Sequence, residues 1–205
     1  MDISMTIPKL PLNAAPVPPN GERLTASRRL LAAGYEGLRL PAAVLLDNVR
    51  SMYNVGAFFR AADGVGIEKV CLCGITAHPP KKAITKTALG AEQAVAWEHD
   101  WDALQMAEKM RCSGFAIAAI ETSTNSVDLF EWQPRFPVCV AFGNEVEGLR
   151  SELLELADTH VRIPMLGEKT SLNVATAAGI VLYELLRKYR AMRMGAGMSA
   201  PGLRG

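Results

Sequence analysis

Apolar and polar positions come in alternating blocks along this chain. Five short apolar runs, AAVLLD (42–47), KVCLCG (69–74), FAIAAI (115–120), PVCVAFG (137–143) and HVRIP (160–164), have the length and composition of buried strands. Between them lie stretches with helical spacing: NVGAFFRAADGVG, WDALQMAEKMRCSG, GLRSELLELAD and the long SLNVATAAGIVLYELLRKYRAM. Apolar strands joined by helices imply parallel pairing with both faces covered, because right-handed crossovers place helices above and below the sheet. The expected fold class is α/β, a mostly parallel sheet with helices on both faces. Residues 1–20 hold five prolines and no periodic pattern, which predicts a disordered or loosely docked arm. A helical extension over 21–40, with a short helix from about 22 to 33, leads into a main domain over 41–191. A basic flexible tail is expected over 192–205.

Composition narrows the class. A chain of 205 residues with 49% hydrophobic content is long enough for one domain with a real core. The most apolar stretch, Ser171 to Leu186, contains Asn173, Thr176 and Glu184 and is too short and polar to span lipid. No apolar segment with a small-residue cleavage site opens the chain, so a cytoplasmic location and no membrane partner are expected. Cys71-Leu72-Cys73 lacks metal-ligand spacing, and His78, His99 and His160 are scattered, so no metal is expected and the cysteines read as buried reduced thiols. Net charge is only +1, but Arg23, Arg28 and Arg29, then Lys81, Lys82 and Lys86 in one loop, then Arg187 to Arg204, gather the cations. Such clusters suit phosphate contacts or a merely solvated surface.

In open parallel sheets ligands sit beyond the carboxyl ends of the strands, so the residues there carry the candidate chemistry. After the first strand, Asn54 is placed to cap a helix, and Arg60 is flanked by Phe58, Phe59, Ala61 and Ala62. A guanidinium walled by apolar surface needs an anionic or carbonyl partner, although a cap and a surface charge would explain the same letters. After the fourth, Gly143-Asn144-Glu145 allows close backbone approach to a ligand, or simply a tight turn. After the fifth, GEKTSLNVATAAG places Ser171 as a helix N-cap ahead of a slim helix start, Ala175, Ala177, Ala178 and Gly179. This last stretch is not a nucleotide phosphate loop: Glu168, not Lys, follows Gly167, and position 162 is Arg. A dinucleotide fingerprint is also missing, since DNVRSMYNVGAFF has a single glycine.

Taken in order, Asn54-x-Gly56-x-x-x-Arg60, Gly143-Asn144-Glu145-x-x-Gly148 and Ile163-Pro164-Met165 with Ser171-Leu172-Asn173-Val174 resemble the three motifs of the SpoU (TrmH) family of RNA ribose 2'-O-methyltransferases. The resemblance covers roughly residues 40 to 190 and is sharpest in the third motif. It implies a C-terminal deep trefoil knot, an exception to the rule against knotted chains. It also implies S-adenosyl-L-methionine as cofactor, its adenine held by Ile120, Gly143, Ile163 and Leu172, and methyl transfer to a ribose 2'-hydroxyl of tRNA or rRNA. Asn54, Arg60, Glu145, Ser171 and Asn173 carry the catalytic roles in that reading. Because a guanidinium keeps its proton at neutral pH, Arg60 suits stabilisation of an oxyanion or phosphate better than proton abstraction. A homodimer through the knot region is implied, with Val181, Leu182, Leu185 and Leu186 covering the interface or else the core. RNA contact falls to Arg23, Arg28, Arg29, Lys81, Lys82 and Lys86. The alternative is a non-catalytic RNA-binding protein that keeps a relic methyltransferase fold.

Overall fold

A computed structural model describes residue 35 and residues 38–195. The proline-rich arm, the helix expected over 22–33, Arg23, Arg28, Arg29 and the end of the tail lie outside the described residues.

Each element forms for a local reason. Strand β1 (Ala42–Asp47) is buried on both faces, as its unbroken apolar run requires. Helix α1 (Met52–Val65) starts where the Ser51 side chain accepts from the Asn54 amide, and ends at Gly66 in the left-handed conformation. Its Val55, Phe58, Phe59 and Ala62 recur at helical spacing and are fully buried. Strands β2 (Lys69–Cys73), β4 (Ala116–Ile120), β6 (Val138–Phe142) and β7 (Thr159–Arg162) occupy the other four apolar runs. Helices α4 (Ala103–Cys112), α5 (Ser151–Leu156) and α6 (Val174–Gly195) occupy the remaining helical stretches.

Four elements were not anticipated. Strand β3 (Ala96–Asp100) is an edge strand with no buried residue, so no apolar run marks it. Strand β5 (Val127–Asp128) is two residues long. Helices α2 (Lys82–Ala88) and α3 (Ala91–Ala94) replace the loop expected around Lys81 to Lys86: Lys82 and Lys86 are helical, and Lys81 is the N-cap of α2. At the other end α6 runs on to Gly195, past the tail boundary expected at 191.

The seven strands pair in the order β3-β2-β1-β6-β4-β7-β5, and every pairing between them is parallel. Alternate side chains divide the core into two layers. Ala42, Val44 and Leu46 of β1 face α1 and α6, while Ala43 and Leu45 face α4 and α5. Phe58 meets Phe142 edge to face at 5.1 Å, fixing α1 across the middle of the sheet. Val181, Leu182 and Leu185 of α6 are fully buried within this chain, which assigns them to its core. Gly56 makes the α1–α2 contact possible: a methyl group there would lie 2.0 Å from Thr87 Oγ1 and 2.5 Å from the Ile84 carbonyl. The glycine of the first motif therefore serves helix packing.

Candidate active site

The carboxyl ends of β1, β4, β6 and β7 converge on one side of the sheet, and the segments that follow them are tied together by side-chain hydrogen bonds. Asn54, in the first turn of α1, donates from Nδ2 to Glu145 Oε1 at 2.9 Å. Its Oδ1 accepts from Asn173 Nδ2 at 3.3 Å. One residue from each of the segments after β1, β6 and β7 thus meets in a single Asn54–Glu145–Asn173 chain. Asn173 Oδ1 also accepts from the amides of Ala175 and Thr176, so Asn173, not Ser171, caps α6. Likewise Ser51 caps α1, which leaves the Asn54 side chain free to bridge. Burial of Glu145 opposes its ionisation. The Asn54 amide and the backbone N–H groups of Glu145, Arg50 and Ser51 outweigh that and hold its carboxyl below the usual glutamate range.

The segment after β6 folds back on itself. Asn144 and Gly148 exchange two backbone hydrogen bonds at 3.0 Å. The buried Asn144 side chain donates to the Asn48 carbonyl and accepts from the amides of Val146 and Glu147. Nothing larger than hydrogen fits at Gly143, where a methyl would lie 2.1 Å from the Gly148 carbonyl carbon. Two further anchors had no signal in the sequence. Glu121, after β4, accepts from the amides of Leu149 and Thr122. Asp47, 2% exposed at the end of β1, holds Arg150 through a two-pronged pair, Nε to Oδ2 at 2.9 Å and Nη2 to Oδ1 at 2.7 Å. The partners stand 103 positions apart, too far for any local pattern to join them.

Between these segments opens a cleft of about 470 Å³. Ile120, Gly143, Ile163 and Leu172 all line it, as do Glu145, Ser171 and Asn173, together with Glu121, Phe142 and Thr170. Arg60 does not. It lies exposed on the outer face of α1 and borders a second, shallower concavity with Asp63, Lys86, Thr87 and Tyr183. The apolar wall expected around it is absent because Phe58, Phe59 and Ala62 turn into the core, each at its own angle around the helix. In the slim start of α6, Ala178 is buried, whereas a methyl added to Gly179 would touch nothing within 4 Å.

The profile of the SpoU rRNA methylase family matches residues 41–183, which takes in every residue of the cleft. The chain belongs to the SpoU rRNA methylase family. Among relatives of this SpoU chain, the tRNA (guanosine(18)-2'-O)-methyltransferase of Thermus thermophilus is 31% identical over 167 residues, 82% of this chain and 85% of that one. The enzyme of the same name from Escherichia coli is 32% identical over 155 residues, 76% of this chain and 65% of its own length. The chain spans 60% of the length of two Staphylococcus TrmH family relatives. Among solved structures, the Aquifex aeolicus TrmH/SpoU tRNA modifying enzyme superposes with a TM-score of 0.70 at 31% identity, covering 90% of this chain and 89% of that one. An AdoMet-bound rRNA methyltransferase from Sinorhizobium meliloti gives 0.67 at 32% identity, covering 71% and 56%. Within the described residues no helix is long and apolar enough to cross a membrane, and no three His, Cys, Asp or Glu side chains cluster as metal ligands.

Proposed function

We propose that this SpoU-family chain transfers a methyl group from S-adenosyl-L-methionine to a ribose 2'-hydroxyl of tRNA or rRNA. The observation that carries the reading is the Asn54–Glu145–Asn173 chain, which joins the three motif segments around one cleft. The cleft suits the cofactor. Gly143 lines the cleft beside the turn closed by Asn144 and Gly148, Ile120, Ile163 and Leu172 offer apolar contact, and Glu121 and Glu145 offer carboxylate acceptors for a cation or hydroxyls. When bound, the cofactor supplies a sulfonium methyl for in-line displacement by the 2'-oxygen.

The chain's own residues would do the rest. Ser171 and Asn173, at the mouth of α6, would orient the ribose, and Asn54 would hold Asn173 and Glu145 in register. Arg60 would stabilise the developing oxyanion or the adjacent phosphate, with a phosphate oxygen or water taking the proton. Because Arg60 stands outside the cleft of its own chain, we propose a homodimer in which it completes the site across the interface. Exposed Tyr183 beside it on α6 supports that placement. We further propose that the part of the chain carrying the Gly143 and Ile163–Asn173 segments forms a deep trefoil knot. A chain pulled from both ends would then stop short of the contour length of an unknotted chain of equal length.

The deciding experiment incubates the protein with labelled S-adenosylmethionine and separate pools of unmodified tRNA and rRNA, then maps the methylated nucleotides. Label on a base, or on no RNA at all, would sink the reading. Arg60→Ala should keep cofactor affinity by calorimetry and lose transfer.

A further inference from the structure

Two of the histidines that looked scattered in the sequence, His78 and His99, come together with Trp97 and Trp101 at the sheet edge. His78 stacks on Trp97 with centroids 5.7 Å apart, lies 4.8 Å from His99, and His99 meets Trp101 edge-on at 5.2 Å. Trp97, His99 and Trp101 alternate along β3 and beyond its end, so they share one face, and β3 pairs with β2 on one side only. The row is held in place: His99 Nε2 donates to the Gly74 carbonyl and His78 Nδ1 to the Pro79 carbonyl. Core packing does not account for it, because Trp101 is 75% exposed and Trp97 37%.

The surroundings favour a polyanion. The segment that brings His78 over Trp97 continues directly into exposed Lys81 and Lys82. Nearby carboxylates are already engaged. Glu98 points to the opposite face and pairs with Lys69 and Lys109, Asp102 caps α4, and Asp100 accepts from the Asp102 amide. Flat, preoriented rings beside free ammonium groups are the means by which proteins take up unpaired nucleotides without reading their sequence.

We propose that His78, Trp97, His99 and Trp101 form a stacking platform for unpaired bases of RNA, with Lys81 and Lys82 contacting the adjoining phosphates. The platform rests on the RNA reading of the cleft and lies apart from it: none of its residues lines the cleft. It would grip a loop or an opened stem of the substrate while another nucleotide enters the site.

The full chain, without cofactor, is titrated with a 12-nucleotide single-stranded RNA of mixed sequence and with a duplex of the same length, following tryptophan fluorescence and anisotropy. The single strand should bind more tightly than the duplex and quench Trp97 and Trp101, Trp132 being buried. Trp101→Ala should weaken single-strand binding by about tenfold, within the roughly 5- to 150-fold expected for one lost stack, while Trp101→Phe keeps most of it. Cofactor affinity should not change in either variant. Equal binding by wild type and Trp101→Ala would overturn the proposal, as would a changed elution volume for Trp101→Ala, which would make the row a contact between protein copies. If wild type transfers no methyl yet Trp101→Ala still weakens single-strand binding, the platform stands and the catalytic reading fails.

Discussion

Removing the Arg150 guanidinium should show how the cleft is held. Arg150→Met keeps the length and apolar stem of the side chain but leaves the Asp47 carboxylate, 2% exposed, facing no cation. Breaking a buried pair by deleting one partner costs about 3 to 5 kcal/mol. Arg150 itself is 35% exposed, so water can reach part of the vacated space, and Asn48 Nδ2 still donates to Asp47 at 2.9 Å. Both lower the expected cost to about 2 to 3 kcal/mol. With a urea slope of about 3 kcal/mol per molar for a domain this size, the unfolding midpoint should fall by about 1 M. Cofactor affinity should fall with it, because Arg150 anchors the segment that carries Glu145 to the end of β1. Asp47→Asn with Arg150→Met should cost clearly less than the two single changes summed, by at least about 1 kcal/mol. Additive effects, or a midpoint within about 0.2 M of wild type, would refute the pair as the anchor.

Gly143→Ala forces a methyl to 2.1 Å from backbone, so it should destabilise by about 1 to 3 kcal/mol in urea and weaken cofactor binding in calorimetry. Gly179→Ala meets open space inside a helix and should stabilise by about 0.5 to 1 kcal/mol, visible as a raised melting temperature. Hydrogen bonds from Arg187 hold the buried Glu184 carboxyl below its usual range; the stability this adds is full above the unfolded value of about 4.3 and is lost as pH falls through the lower folded value. Glu184→Gln should therefore be less stable than wild type at neutral pH and lose less stability than wild type as pH drops below about 4 in urea titrations. Replacing Lys81, Lys82 and Lys86 together by Ala should flatten the dependence of RNA affinity on salt by about 2 in log–log slope if all three meet phosphates; an unchanged slope would remove them from the RNA face.

The apolar blocks alone determined the parallel sheet, its five interior strands and the helices α1, α4, α5 and α6, because burial on both faces leaves a continuous hydrophobic signature. The ordered motifs pointed to the segments after the strands; Gly143, Ile163 and Leu172 from those motifs line one cleft with Ile120, and Arg60 does not. Strand β3 escaped notice because an edge strand has no apolar run to reveal it, and His78, Trp97, His99 and Trp101 looked unrelated for the same reason. The caps were misassigned by two or three residues, Ser51 for Asn54 and Asn173 for Ser171, since several polar letters at each helix start are equally able to accept an amide. Only the tertiary structure could pair Asp47 with Arg150, or carry Asn54 to Glu145 and Asn173 across 91 and 119 positions. Only it could turn Arg60 outward, away from the aromatic residues beside it in sequence. Periodicity reports which side of an element is buried; which distant side chain waits on the other side is decided by how the elements pack.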